Sequence, residues 1–148
     1  LPQTAAEGWP KTAAALIPDA ALSADALAEA TALLTAPHLS WVFAPDSLAE
    51  VAFTATLNGR TLSGSIDRLI VTPDRIHLID FKSNTVVPQT PAEVPEGILR
   101  QMGAYVAALR QVYPERPIEP HILWTRTATL MPLDPNMVSA ALNRATLP

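Results

Sequence analysis

No cysteine occurs among the 148 residues. Disulfides, thiolate metal sites and cysteine-bound iron–sulfur clusters are therefore excluded, and the composition fits the cytoplasm. Basic residues are also scarce. Lys and Arg number 10 against 14 Asp and Glu, the net charge is −4, and the lysines are Lys11 and Lys82. A protein that grips duplex nucleic acid unaided usually presents a basic surface. If nucleic acid is the substrate, another component must supply most of the affinity. No apolar run reaches the ~18 residues of a membrane-spanning helix, so no membrane partner is expected. No basic start followed by an apolar stretch marks a signal peptide.

What remains is a globular composition, with 49% apolar and 16% charged residues. We expect one domain over residues 1–148, with a helical N-terminal part (1–40) and a core from 48 to 148. The chain opens on Leu1 rather than methionine, and a piece of a longer polypeptide is the expectation.

Pro10, Pro18 and Pro37 interrupt the alanine-rich first forty residues. Ser23 to Ala36 reads as a helix, with Ser23 as its cap and Leu27, Ala30, Leu33 and Leu34 as its apolar stripe. Strand formers then dominate Leu48–Leu57, Thr61–Thr72 and Arg75–Phe81. Asn58-Gly59 is a strong hairpin signal, and Pro73-Asp74 a weaker turn signal. A three-stranded antiparallel meander follows. Ile98, Leu99, Met102, Tyr105, Val106 and Leu109 recur at helical spacing within Pro95–Tyr113. Ile118–Thr125 and Thr129–Leu133 read as strands, and Asp134-Pro135 opens a final helix. The order predicts an α/β fold, a mixed central sheet flanked by helices.

Register supplies the functional clue. With two-residue turns at Asn58-Gly59 and Pro73-Asp74, Glu50 lies across from Asp67, and Asp67 across from Asp80. Lys82, two residues beyond Asp80, shares that face. Opposed like charges destabilise a sheet, so the row calls for a cation. A hard divalent ion fits oxygen ligands, and could polarise a phosphoryl oxygen and activate water. Lys82 could orient the attacking water or stabilise developing charge. The competing reading is a solvent-facing row of charges, with Lys82 as an ordinary ion-pair partner.

Four segments bear a resemblance. Gly64-Ser65-Ile66-Asp67-Arg68 resembles the GxxDR motif of RecB-type nucleases of the PD-(D/E)XK, restriction-endonuclease-like kind. Ile79-Asp80-Phe81-Lys82-Ser83 resembles their (V/I)DYKT motif, Gln101–Tyr105 their QxxxY motif, and Glu50-Val51-Ala52-Phe53 their upstream E-x-P-F strand. The stretch Glu50–Leu133 is most similar to the C-terminal nuclease domains of the AddA helicase–nucleases of bacterial AddAB recombination complexes.

The resemblance implies a Mg2+-dependent deoxyribonuclease, with Mn2+ as a substitute ion, acting in double-strand break repair. Asp67, Asp80 and the Phe81 backbone carbonyl would hold the metal, and Lys82 would be catalytic. Gln101 and Tyr105 would face the DNA or the site, and Glu50 would support it. Partners would be single-stranded DNA, a helicase portion of the same polypeptide and an AddB-like subunit. No Walker A pattern occurs here, so ATP hydrolysis would belong to that helicase portion.

The family usually adds a metal-binding histidine in a G-x-x-x-H pattern followed shortly by Leu-Pro. This chain begins at Leu1-Pro2, where that pattern would just have ended, so one ligand is expected to be missing and the isolated domain to be compromised. His38, His77 and His121 stand in other contexts and read as structural or exposed residues. The alternative function is a catalytically silent docking module for a partner subunit.

Overall fold

A computed structural model describes residues 6–146. Helix α1 spans Trp9–Leu16 and α2 Ala20–Thr35. Helix α2 starts three residues before the expected cap. Asp19, just after Pro18, takes the Leu22 amide on its Oδ1 at 2.9 Å, and Ser23 lies buried inside the helix. The carboxylate satisfies an amide that has no partner within the helix, which is what a cap does.

The strands are β1 (Leu48–Leu57), β2 (Arg60–Val71), β3 (Ile76–Lys82), β4 (Ile118–Trp124) and β5 (Thr129–Pro132). They form one sheet in sequence order. All neighbours are antiparallel except β3 and β4, which run parallel. Helix α3 (Glu96–Val112) makes the crossover that a parallel pair requires. Helix α4 spans Pro135–Thr146.

Both expected turns form. Asn58 and Gly59 have φ of 50° and 76°, as a two-residue hairpin turn demands. At the other turn the Thr72 amide donates to the Arg75 carbonyl at 3.0 Å. The Thr72 hydroxyl donates to that carbonyl at 2.8 Å and accepts from the Arg75 amide at 3.1 Å. Val71 therefore pairs with Ile76 and Leu69 with Leu78.

Alternate residues of β3 serve two cores. Ile76 and Leu78 face α3 and α4, among Ile66, Met102, Val106, Ile122 and Val138. Ile79 faces the other way, among Leu33 of α2, Leu39, Val42 and Leu123. Gly103, in the middle of α3, sits directly against the backbone of α4 at Val138. Among the described residues, no helix is long and apolar enough to cross a membrane.

Candidate active site

The acidic positions gather where β3 ends. Leu48 pairs with Leu69 and Val51 with Ile66 on β1–β2, while Arg68 pairs with Ile79 on β2–β3. The expected alignment of Glu50, Asp67 and Asp80 therefore holds by count, but neither acidic pair is a ladder pair. Asp67 instead uses its side chain, and its Oδ2 accepts the Phe81 amide at 2.6 Å.

Glu50 departs from the expected row. Its φ of 50° takes the left-handed region, which interrupts the ladder, and the residue is exposed. Glu50 acts electrostatically on Arg68, whose pKa is lowered by burial and partly restored by Glu50. Arg68 lies on Phe43, 5.4 Å from the ring centre, and donates to the Ser47 hydroxyl at 3.0 Å. Glu50 is thus a flanking charge.

Asp80 is 3% exposed. Burial raises its pKa; Lys82 opposes the rise and Asp67 adds to it. Its Oδ2 lies 2.7 Å from Lys82 Nζ. That contact is short but not aligned as a hydrogen bond, and among the described residues no other donor reaches this buried oxygen. A buried carboxylate oxygen so placed, beside a second carboxylate, has capacity for a cation.

Lys82 also donates to Gln101 Oε1 at 2.9 Å, and Gln101 Nε2 donates to the Tyr105 hydroxyl at 2.7 Å. Gln101 and Tyr105 are one turn apart on α3, so both reach the same side. The polar path Asp80–Lys82–Gln101–Tyr105 joins β3 to the crossover helix. An ammonium has three N–H donors. Gln101 engages one by a hydrogen bond and Asp80 supplies the counter-charge, which leaves donor capacity for a substrate or water.

Two residues quoted only within motifs prove to be supports. Phe53 on β1 meets Tyr105 edge-on, with centroids 5.3 Å apart. Its ring lies over Gly64, where an added Cβ would sit 3.1 Å from Phe53 Cε1. A glycine inside a strand pattern is the available sequence signal for such a close approach.

The buried carboxylate has a measurable consequence. The native Asp80 carboxyl binds its proton more tightly than the unfolded chain does. Ionising it therefore costs folding free energy at pH values above the unfolded aspartate range, and the cost disappears as pH falls and the group protonates in both states. In metal-free buffer, Asp80→Asn is expected to raise the melting temperature at pH 8 and to lose that advantage toward pH 4. Calorimetric melts in EDTA at the two pH values check this, and a lower melting temperature for the variant at pH 8 would refute it.

The family model of the PD-(D/E)XK nuclease superfamily matches residues 2–141. Among curated proteins, none matches the chain. Among solved structures, one titled "Crystal structure of SSO0001" is similar at 14% identity with a TM-score of 0.41. That match covers 80% of this chain, which spans 64% of that structure's own chain.

Proposed function

The chain belongs to the PD-(D/E)XK nuclease superfamily, and from that membership we propose that it hydrolyses phosphodiester bonds of single-stranded DNA with the aid of Mg2+. The observation that carries this reading is the coincidence at one strand end of a buried, cation-seeking Asp80 with Asp67 and Lys82.

The donor set suits a hard divalent ion. Asp67, Asp80 and the Phe81 carbonyl would hold it, with Mn2+ as a substitute. When bound, such an ion polarises a phosphoryl oxygen and lowers the pKa of its water. The protein's own groups do the rest. Asp67 fixes the backbone at Phe81. Gln101 holds Lys82 so that a remaining N–H can face the reacting phosphate, where it orients the attacking water and stabilises developing charge. Tyr105 accepts from Gln101, so its own proton is left to donate to the DNA backbone.

The finer assignment is to an AddA-like helicase–nuclease acting in the cytoplasm in double-strand break repair. It rests on the four ordered segments and on charge. A domain with net charge −4 is poorly suited to capture a polyanion alone. An attached helicase that feeds the strand, together with an AddB-like subunit, would supply that affinity.

Calorimetric titration of Mn2+ into the wild-type chain and the Asp80→Ala variant tests the reading. Binding is expected in the wild type and at least tenfold weakened in the variant. Identical binding would favour a silent docking module instead.

A further inference from the structure

On the face of the sheet opposite Asp80, three potential ligands converge that the nuclease site does not use. His77 of β3 is the register partner of Glu119 of β4. His121 lies two residues beyond Glu119 and so shares its face. One ligand atom from each lies within 4.8 Å of the others. We propose that His77, Glu119 and His121 form a second metal site, for a transition ion of the zinc class, which clamps β3 to β4.

The local contacts prepare the three side chains for this. Arg75 Nη1 holds Glu119 Oε1 at 2.7 Å. The other oxygen, Oε2, is left 3.3 Å from His77 Nδ1. His77 Nδ1 is buried and has no aligned hydrogen-bond partner among the described residues. His121 Nδ1 lies 3.0 Å from the Glu119 carbonyl. An N–H donated to that carbonyl leaves Nε2 with its lone pair, as outer contacts do for metal-binding imidazoles.

Trp41 packs edge-on against both rings, with centroids 5.0 Å from His77 and 5.9 Å from His121. It walls the cluster on the apolar side. Burial, and for His121 the neighbouring His77 as well, lowers both pKa values from the ordinary histidine value, while Glu119 opposes the shift. The neutral imidazole is the form that coordinates.

Ligands about a tetrahedral zinc stand roughly 3.4 Å apart, as follows from bonds of about 2.1 Å. Small side-chain rotations would close the present set to that spacing. The His77 and Glu119 side chains are 19% and 35% exposed, which leaves an approach for the ion and room for a water as fourth ligand. Two imidazoles and one carboxylate favour zinc, nickel or copper over magnesium. The site therefore differs in chemistry from the all-oxygen set across the sheet.

The test is titration of Zn2+ into the protein in the presence of excess Mg2+, read by calorimetry and by the melting temperature. Asp80→Asn serves as the background that disables the nuclease carboxylate. One equivalent should bind in the wild type and in Asp80→Asn, with a rise in melting temperature of several degrees. Both effects should be lost in His77→Gln and, as an independent variant should that one misfold, in Glu119→Gln. Absence of binding in the wild type overturns the proposal. So does binding that survives both site variants, or that disappears with Asp80→Asn.

Discussion

Lys82→Ala is expected to reduce cleavage of single-stranded DNA by about 10²- to 10⁴-fold, the range for a positioned acid–base group. That corresponds to about 3–5 kcal/mol of transition-state stabilisation. The Lys82 ammonium has two fixed contacts, Asp80 Oδ2 at 2.7 Å and Gln101 Oε1 at 2.9 Å. Alanine removes the donor left for substrate along with both. It also leaves the buried Asp80 carboxylate without its opposing charge. The effect should appear in the single-turnover rate, not in substrate affinity alone. Lys82→Arg should not rescue it, because a planar guanidinium cannot reproduce a point charge held by two oxygens on a flexible stem. Cleavage by Lys82→Ala within tenfold of wild type would remove Lys82 from the mechanism.

Gly103→Ala should destabilise the fold by about 3 kcal/mol, the upper end of the usual overpacking range. A Cβ there would clash with the Val138 carbonyl oxygen and lie 2.9 Å from Leu142 Cβ. The first obstacle is backbone of α4, which can yield only if the two helices separate. Val138 itself is fully buried, so separation would open the main core. A fall in melting temperature of about 10 °C would correspond.

The sign makes the result diagnostic, since glycine to alanine inside a helix ordinarily stabilises by up to about 1 kcal/mol. Gly97, in the same helix, has nothing within 4 Å of an added Cβ. Gly97→Ala should therefore be neutral or slightly stabilising. Denaturant unfolding of both variants makes the comparison, and equal stabilities would contradict the packing described.

Features set by short-range chemistry were readable from the chain alone. Asn58-Gly59 announces its own turn, and the apolar rhythm from Ile98 to Leu109 announces α3. Between them the turns and the strand period placed Asp67, Asp80 and Lys82 on one face of the sheet, although Asp67 reaches β3 through its side chain, at the Phe81 amide, and not as a ladder partner of Asp80. The left-handed backbone at Glu50 carried no such signal, because glutamate has no particular liking for that region. The start of α2 was misplaced because two capping residues compete, and the one nearer Pro18 is used.

The partnership of Lys82 with Gln101 depends on how α3 lies across the sheet, a tertiary fact that spacing along the chain does not encode. The meeting of His77 with Glu119 and His121 was hidden for the same reason. Their strands are adjacent only because the crossover returns the chain parallel to β3.

The tight connection at Thr72–Arg75 thereby acquires a role out of proportion to its size. Surface loops usually absorb insertions and deletions freely. Here one residue more or less would rotate every side chain of β3 to the other face of the sheet. Asp80 and Lys82 would be turned away from Asp67, Gln101 and Tyr105, and Ile79 would be driven into their place. Chain length at this corner is therefore a constrained quantity, in a part of the molecule where length is ordinarily free to vary.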